Sequence, residues 1–261
     1  MASTSPSAPD RGAPRISVVD LDMAYGDLVL QRNLSFTVRP AEIFVVMGGS
    51  GSGKSTLLRH LVGLKAPARG DVLYDGQSLW TADPTEREAM MRRVGVVYQR
   101  NALWSSLTLA ENVALLLEEF TDLGEGEIRD AAALKLALVG LAGFEDYYPS
   151  EVSGGMEKRA ALARALALDP EILFLDEPST GLDPISARLL DDLILDLRDG
   201  LGTTVVVVTH DLASIQAIGD NSVFLDPETK TMMAHGDPKA LLADPPNARV
   251  RAFLHRESVP R

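Results

Sequence analysis

A glycine-rich run followed by lysine and two hydroxyl residues is the segment best suited to chemistry in this sequence. Glycine allows backbone conformations closed to other residues, so successive N–H groups can converge on one phosphate. The run matches the P-loop pattern of Gly, four residues, Gly, Lys and Ser or Thr. It consists of Gly48, Gly49, Ser50, Gly51, Ser52, Gly53, Lys54, Ser55 and Thr56. The pattern predicts a site for a nucleoside triphosphate.

The neighbours of this run support the same interpretation. An apolar segment at 43–47 precedes it and a segment with helical spacing follows it, which is the strand–loop–helix context that the motif requires. Lys54 is expected to reach the β and γ phosphates, Ser55 to ligate Mg²⁺ and Thr56 to donate to the α-phosphate. A flexible Gly/Ser linker is the alternative, but a linker needs neither flanking element.

Two carboxylates follow the apolar run at 172–175. Asp176 and Glu177 therefore lie at the carboxyl end of a predicted strand, which is where ligands bind in open α/β sheets. Asp176 is suited to the Mg²⁺ shell, and Glu177 to orienting and deprotonating an attacking water. Solvated acids at a strand end are the alternative, which the P-loop makes the weaker one.

The elements that must position these residues alternate along the chain. Short runs rich in Val, Ile and Phe predict strands at 16–21, 34–38, 43–47, 94–98, 172–176, 204–209 and 222–226. Helical spacing occupies 54–63, 85–93, 184–199 and 211–219, and this alternation predicts an α/β fold with a mostly parallel sheet. The middle instead predicts helices at 108–120, 126–141 and 154–168, and a last helix is predicted at 248–257.

This pattern divides the chain into four parts. Residues 1–14 are expected to be a disordered tail, because they are rich in Ser, Pro and Ala and lack the apolar core of a signal peptide. Residues 15–98 and 171–240 form the α/β core, and residues 99–170 form a helical subdomain. Residues 241–261 form a C-terminal extension.

Composition excludes several classes of protein. The chain has 261 residues, no cysteine and a formal charge of −12, so disulfides and thiolate chemistry are excluded and nucleic acid is an unfavoured partner. No apolar stretch approaches the length of a membrane span, and we expect a cytoplasmic protein.

A third segment gives the sequence a family resemblance. Ser153 is a candidate helix N-cap, followed by Gly154 and Gly155, and Asp176 comes 22 residues after Gly154. With the P-loop and the acidic strand end, residues 16–240 resemble the ATP-binding subunits of ABC (ATP-binding cassette) transporters. The resemblance implies ATP and Mg²⁺ as ligands, a RecA-like P-loop core, an N-terminal antiparallel β part and a signature motif at Ser153–Gly155.

Further residues acquire roles through this resemblance alone. Gln99 matches the Q-loop glutamine that senses Mg²⁺ and the γ-phosphate, and His210 matches the switch histidine. Asp183 closes a segment that matches the D-loop, which crosses between subunits. Tyr25 fits the A-loop aromatic that stacks on adenine, although a tyrosine packed on the sheet edge is nearly as good a reading.

The signature departs from the commonest family pattern. Met156 stands where glutamine is usual, and methionine cannot donate a hydrogen bond as glutamine can. Segments 101–108 and 111–114 with this signature look most like the ATPases of Mla/MCE-type phospholipid transporters. That branch implies integral-membrane permease subunits, an MCE-domain protein and a STAS-domain subunit as partners, on the cytoplasmic side of the inner membrane.

One chain carries one P-loop and one signature, so a complete site requires a homodimer arranged head to tail with two ATPs. An importer ATPase for a polar solute such as an amino acid is one alternative, and a soluble ABC protein is another. A small-molecule P-loop kinase would not explain the signature, the D-loop and His210 in that order. Trp104 follows Gln99 and is expected to dock on the permease, with burial in the local core as its alternative.

Overall fold

The computed structural model describes residues 12–257, and the first 11 residues of the predicted tail lie outside it. Its strands are β1 (Ile16–Tyr25), β2 (Leu28–Val38), β3 (Ile43–Gly48), β4 (Arg69–Tyr74), β5 (Gln77–Ser78), β6 (Val94–Val97), β7 (Ile172–Asp176), β8 (Thr204–Val208), β9 (Asn221–Asp226) and β10 (Thr231–Gly236). Its helices are α1 (Lys54–Leu61), α2 (Pro84–Arg92), α3 (Leu109–Phe120), α4 (Glu125–Leu138), α5 (Gly154–Ala165), α6 (Pro184–Leu201), α7 (Leu212–Ile218), α8 (Pro238–Ala243) and α9 (Ala248–Leu254).

The larger sheet has six strands in the order β10-β9-β3-β8-β7-β6, and all its pairs are parallel except β10 with β9. Every residue of β3, β7 and β8 is buried, as expected for parallel strands covered on both faces. The predicted α/β class with a mostly parallel sheet is confirmed. Because β3, β7 and β8 are parallel, their carboxyl ends Gly48, Asp176 and Val208 lie at one edge of the sheet.

A smaller antiparallel sheet, β2-β1-β4-β5, packs on the larger one. The rings of Phe36 on β2 and Phe44 on β3 stack with their centroids 5.1 Å apart. Leu57, Leu58 and Leu61 of α1 enter the same apolar cluster. The helix that begins at the phosphate loop is thus fixed against both sheets.

Helices α3, α4 and α5 lie between β6 and β7 in the chain and share a core with one face of the larger sheet. Thr108 caps α3 and Ser153 caps α5, each through a side-chain oxygen that accepts a backbone N–H. No helix among residues 12–257 combines the length and apolar character that crossing a membrane requires.

The sequence patterns do not predict β4, β5, β10 or α8. β4 begins with Arg-Gly-Asp and β10 lacks a buried apolar run, so neither has the composition of a strand by itself. Both strands depend on distant partners, because β4 pairs with β1 and β10 pairs with β9. The predicted C-terminal helix is present as α9, whose Phe253 ring packs 5.1 Å from that of Phe224.

Candidate functional site

The phosphate loop joins the end of β3 to the start of α1. Gly48, Gly51 and Gly53 have φ angles of 153°, 77° and 89°, in the range that side-chain-bearing residues rarely adopt. A Cβ at Gly48 would also lie 2.4 Å from the Leu225 carbonyl oxygen. Glycine is therefore required at these positions by the backbone conformation, and at Gly48 also by the lack of space for a side chain.

Lys54, the first residue of α1, folds back over this loop. Its Nζ donates to the carbonyl oxygens of Gly48 at 2.9 Å and Gly49 at 3.1 Å. Burial lowers the pKa of Lys54, and the neighbouring charges of Glu177 and Asp176 oppose that shift. The ammonium group is thus held beside the loop and two carboxylates.

Asp176 and Ser55 form an oxygen pair at the strand edge. The Ser55 hydroxyl donates to Asp176 Oδ1 at 3.2 Å. Burial raises the pKa of Asp176, and the hydrogen bond from Ser55 opposes this. A buried carboxylate is unfavourable when no cation lies beside it, so a cation bound at Asp176 would stabilise its charged form.

This pair fits Mg²⁺ held together with phosphate oxygens. Mg²⁺ bound to nucleotides usually takes one or two protein oxygens, while phosphates and waters complete its octahedron. Within residues 12–257 no group of three His, Cys, Asp or Glu side chains could hold a metal by itself. The arrangement therefore suits a shared site better than an all-protein cage.

Glu177 contacts His210 at the same edge. Glu177 has a φ of 51°, in the left-handed region, and its backbone N–H donates to the Val208 carbonyl at 2.8 Å. Its Oε1 lies 2.8 Å from His210 Nδ1, and Thr180 Oγ1 donates to its Oε2 at 3.3 Å. The carboxylate is buried and the His210 side chain is 62% exposed, so the pair extends from the sheet edge to solvent.

A cleft of about 830 Å³ opens over these groups. Among its lining residues are the loop residues from Gly49 to Ser55, together with Gln99, Glu177 and His210. Sequence reasoning missed a further part of the wall, which α9 and the residues after it supply. These are Ala252, Phe253, Arg256 and Glu257. The sequence signalled this helix through its amphipathic pattern but not its place beside the loop.

Tyr25 lies outside the lining of this cleft. It is 44% exposed at the end of β1, its hydroxyl accepts from Arg59 Nη1 at 3.3 Å, and Lys65 Nζ lies 4.1 Å from its ring centroid. The hydrogen bond from Arg59 lowers the pKa of Tyr25. Stacking of adenine on Tyr25 stays a prediction.

The signature residues and Asp183 also lie outside the cleft lining. Ser153 Oγ accepts from Met156 N at 3.3 Å, and Gly154 and Gly155 begin α5. Asp183 caps α6 by accepting from the backbone N–H of Ile185 and Ser186, both at 3.0 Å. A Cβ at Gly155 would lie 3.3 Å from Ser186 Oγ, so the starts of α5 and α6 form one surface.

Comparison with known proteins places this geometry in a family. Residues 31–180 match the family described as "ABC transporter". The chain belongs to the ABC transporter family. The predicted resemblance and the ATPase class are thereby confirmed, and the N-terminal antiparallel part of the fold is present as the β2-β1-β4-β5 sheet.

Two relatives extend over nearly the whole of this ABC chain. The intermembrane phospholipid transport system ATP-binding protein MlaF of Escherichia coli is 39% identical over 239 residues, covering 92% of this chain and 88% of that protein. A Mycobacterium tuberculosis protein named "Probable ribonucleotide transport ATP-binding protein mkl" is 38% identical over 253 residues, covering 96% and 70% respectively.

Solved ABC cassettes share the fold. The structure of cbiO1 of Clostridium perfringens, part of the ABC transporter complex cbiONQ, superposes with a TM-score of 0.81 at 27% identity, covering 88% of this chain and 91% of that one. The dimeric bacterial cassette MJ0796 gives 0.77 at 30% identity, with 85% and 98% covered. Another MJ0796 dimer is bound to ADP and phosphate in a post-hydrolysis state.

Proposed function

We propose that this ABC protein is the ATP-hydrolysing subunit of a transporter that moves phospholipid between membranes of the cell envelope. The observation that carries the ATPase part is the grouping of Ser55 with Asp176, and of Glu177 with His210, at the strand edge beside the phosphate loop. The phospholipid part is supported by the 39% identity to MlaF over nearly the whole chain.

The residues that line the cleft, and Asp176 at the strand edge beside it, have separate roles in the reaction. Backbone N–H groups of the phosphate loop and Lys54 Nζ bind the β and γ phosphates of ATP. Ser55, Asp176 and Gln99 would hold Mg²⁺, which would supply positive charge to the phosphate oxygens.

Glu177 is positioned to hold the attacking water and accept its proton, because it lines the cleft together with the phosphate loop. His210 keeps this carboxylate in place through the 2.8 Å contact of its Nδ1, which leaves its other ring nitrogen for a contact with the γ-phosphate. Hydrolysis then breaks the bond between the γ-phosphorus and its bridging oxygen, leaving ADP and phosphate.

A second copy of the chain completes each site. The cleft of one copy lacks any lining from Ser153, Gly154, Gly155 and Asp183, which lie on the surface formed by the starts of α5 and α6. In a head-to-tail homodimer this surface covers the partner's nucleotide, with α3–α5 acting as the subdomain that carries it. The hydroxyl of Ser153 and the N–H groups of Gly154 and Gly155 then replace the contact that Met156 cannot make.

The partners follow from the same assignment. Permease subunits anchor the dimer at the cytoplasmic face of the inner membrane, and an MCE-domain protein and a STAS-domain subunit complete the complex. The name of the mycobacterial relative makes ribonucleotide a competing cargo, and an amino-acid importer remains the alternative that the sequence left open. No nucleic acid is expected, given the formal charge of −12.

Transfer of labelled phospholipid between liposomes tests the proposal. The dimer is reconstituted with the permease and MCE protein that co-purify with it, and transfer should depend on ATP and stop in Glu177→Gln. Transfer that is indifferent to ATP, or a permease that pairs with a soluble amino-acid- or sugar-binding protein, would contradict the lipid cargo while leaving the ATPase assignment intact.

A further inference from the structure

A buried glutamine of the antiparallel sheet donates a hydrogen bond to the backbone of the phosphate loop. Gln31 on β2 is completely buried, and its Nε2 donates to the carbonyl oxygens of Ser52 at 2.8 Å and Asp226 at 2.9 Å. Its Oε1 is buried without a hydrogen-bond partner among the described residues. One side chain therefore ties the phosphate loop to the end of β9, and both of its donor hydrogens are used in doing so.

The sheet also packs directly beneath the next residue of the loop. A Cβ added to Gly53 would lie 3.0 Å from Met23 Cε and 3.7 Å from Gln31 Cγ. Met23 is completely buried as well. The backbone at Ser52 and Gly53 thus rests on β1 and β2, and the hydrogen bond from Gln31 fixes its rotation.

The geometry of the Ser52–Gly53 peptide determines which way the Gly53 N–H points. In a planar trans peptide, the carbonyl and the following N–H point in opposite directions. Because the Ser52 carbonyl points at Gln31, the Gly53 N–H points away from β2, on the side where Gly53 lines the cleft. No backbone carbonyl of residues 12–257 accepts this N–H, which leaves it available to a phosphate oxygen.

We propose that Gln31 is a positioning residue for phosphate binding, which holds the Ser52–Gly53 peptide so that the Gly53 N–H faces the nucleotide before ATP arrives. Gln31 does not touch the nucleotide itself and acts through Ser52. This role rests on the proposed ATP site. It assigns a function in nucleotide binding to the antiparallel sheet, separate from any contact between that sheet and adenine.

The affinity of the full chain for MgATP tests the role, measured by competition with a fluorescent ATP analogue. Gln31→Leu introduces an apolar side chain of similar size that has no donor, and should weaken MgATP binding about tenfold, as expected for the loss of about one net hydrogen bond. Gln77→Leu is the matched control, because Gln77 is an exposed glutamine of the same sheet and its replacement should leave the affinity unchanged.

Gln31→Glu adds a readout that a role in stability alone would not move. An ionised carboxylate cannot donate to the Ser52 carbonyl, whereas the protonated acid can, and burial raises the pKa of the introduced group. The MgATP affinity of this variant, relative to the parent at the same pH, should therefore recover as pH falls from 8 to 6. This comparison also serves if Gln31→Leu fails to fold.

Two results would overturn the role. Parental MgATP affinity in Gln31→Leu, with or without a lower melting temperature, would show that the contact is only structural. A relative affinity of Gln31→Glu that does not change with pH would do the same. Failure of the parent chain to bind MgATP at all would instead contradict the proposed function, and this role with it.

Discussion

His210 and Glu177 are joined by a 2.8 Å contact between Nδ1 and Oε1 that links an exposed ring to a buried carboxylate. The contact leaves Nε2 of His210 as the ring nitrogen available to a ligand in the cleft. The two side chains come from the ends of the adjacent parallel strands β7 and β8, so their distance is set by the sheet.

Removal of the histidine should separate catalysis from binding. His210→Ala is expected to lower kcat for ATP hydrolysis about 100-fold, the lower end of what proton-transfer assistance contributes, because the proton-accepting Glu177 carboxylate loses the contact that holds it, with little change in MgATP affinity. Steady-state hydrolysis and equilibrium binding measure the two quantities, and His235→Ala, at an exposed histidine of β10, is the control. A variant that hydrolyses ATP at the parental rate would remove His210 from the mechanism.

Complementation between two inactive variants tests the shared site. Lys54→Ala removes the phosphate-binding cation and should weaken MgATP binding at least about 100-fold, as expected for charge-assisted hydrogen bonds. Ser153→Arg blocks the partner's site from across the dimer. Each alone should be inactive, but a mixture contains dimers with one site free of both changes and should regain hydrolysis.

Ser153 also stabilises α5 by about 1 kcal/mol as its N-cap, so a change at this position could act through the helix. Ser153→Thr is the control, because it keeps a hydroxyl cap and should remain active. Melting temperatures of both variants check that each subunit is folded. A mixture with no hydrolysis above the two separate variants would show either that both sites of a dimer must be intact or that Ser153 does not serve the partner's site.

Trp104 should act in assembly and not in folding. Its side chain is 62% exposed, so its burial in the local core, the alternative from the sequence, is wrong. Trp104→Ala is expected to change the free energy of unfolding by less than about 0.5 kcal/mol and to abolish co-purification with a co-expressed permease. Full retention of the permease would contradict the docking role.

A contrasting variant lies in the same loop. The side chain of Asn112 is completely buried and accepts from Trp104 N at 2.7 Å, and the two hydrogens on its Nδ2 are shared among the carbonyls of Trp104, Leu107 and Thr108. Asn112→Ala should therefore lower the melting temperature of the isolated subunit, which Trp104→Ala should not.

Asp191 makes stability depend on pH. This carboxyl of α6 is buried near the Ser214 hydroxyl and the Asp211 carboxylate of the α7 start, and burial raises its pKa to about 6 from an ordinary value of 3.8. Between these two values the folded state binds more protons than the unfolded state, so this group's contribution to stability falls as pH rises from about 4 to 6. Above pH 6 the buried, charged carboxylate lowers the free energy of unfolding.

Asp191→Asn should remove that destabilising effect. The variant is expected to be about 1 kcal/mol more stable than the parent at pH 7.5, less than the whole pKa shift would give because solvent screens the group. The difference should vanish toward pH 4. Urea unfolding at the two pH values measures it, and a variant less stable than the parent at pH 7.5 would show that the carboxylate is favourably paired.

The sequence patterns predict the central strands well. β3, β7 and β8 are continuous apolar runs because both of their faces are buried, and the bounds of β7 agree with the predicted 172–176. β4 and β10 are edge or near-edge strands with few buried residues, and they become strands by pairing with β1 and β9. Such pairing is not visible in a local pattern.

Part of the candidate site can likewise be predicted from local sequence, and part of it cannot. The phosphate loop is a local motif, so its glycines and Lys54 are visible in eight consecutive residues. The contact of Gln31 with Ser52 and Asp226 joins residues 21 and 195 positions away, and only the packing of one sheet on the other brings them together. The wall formed by α9 is hidden for the same reason.

The association state of Glu177→Gln with MgATP tests the central claim most directly. The amide keeps the shape of the side chain but cannot accept the proton of the attacking water, so ATP stays bound and holds two copies together. Light scattering after size exclusion should give a dimer with two ATPs that reverts to the parental state when nucleotide is removed. A variant that binds MgATP but stays monomeric, or that hydrolyses ATP at the parental rate, would contradict the account.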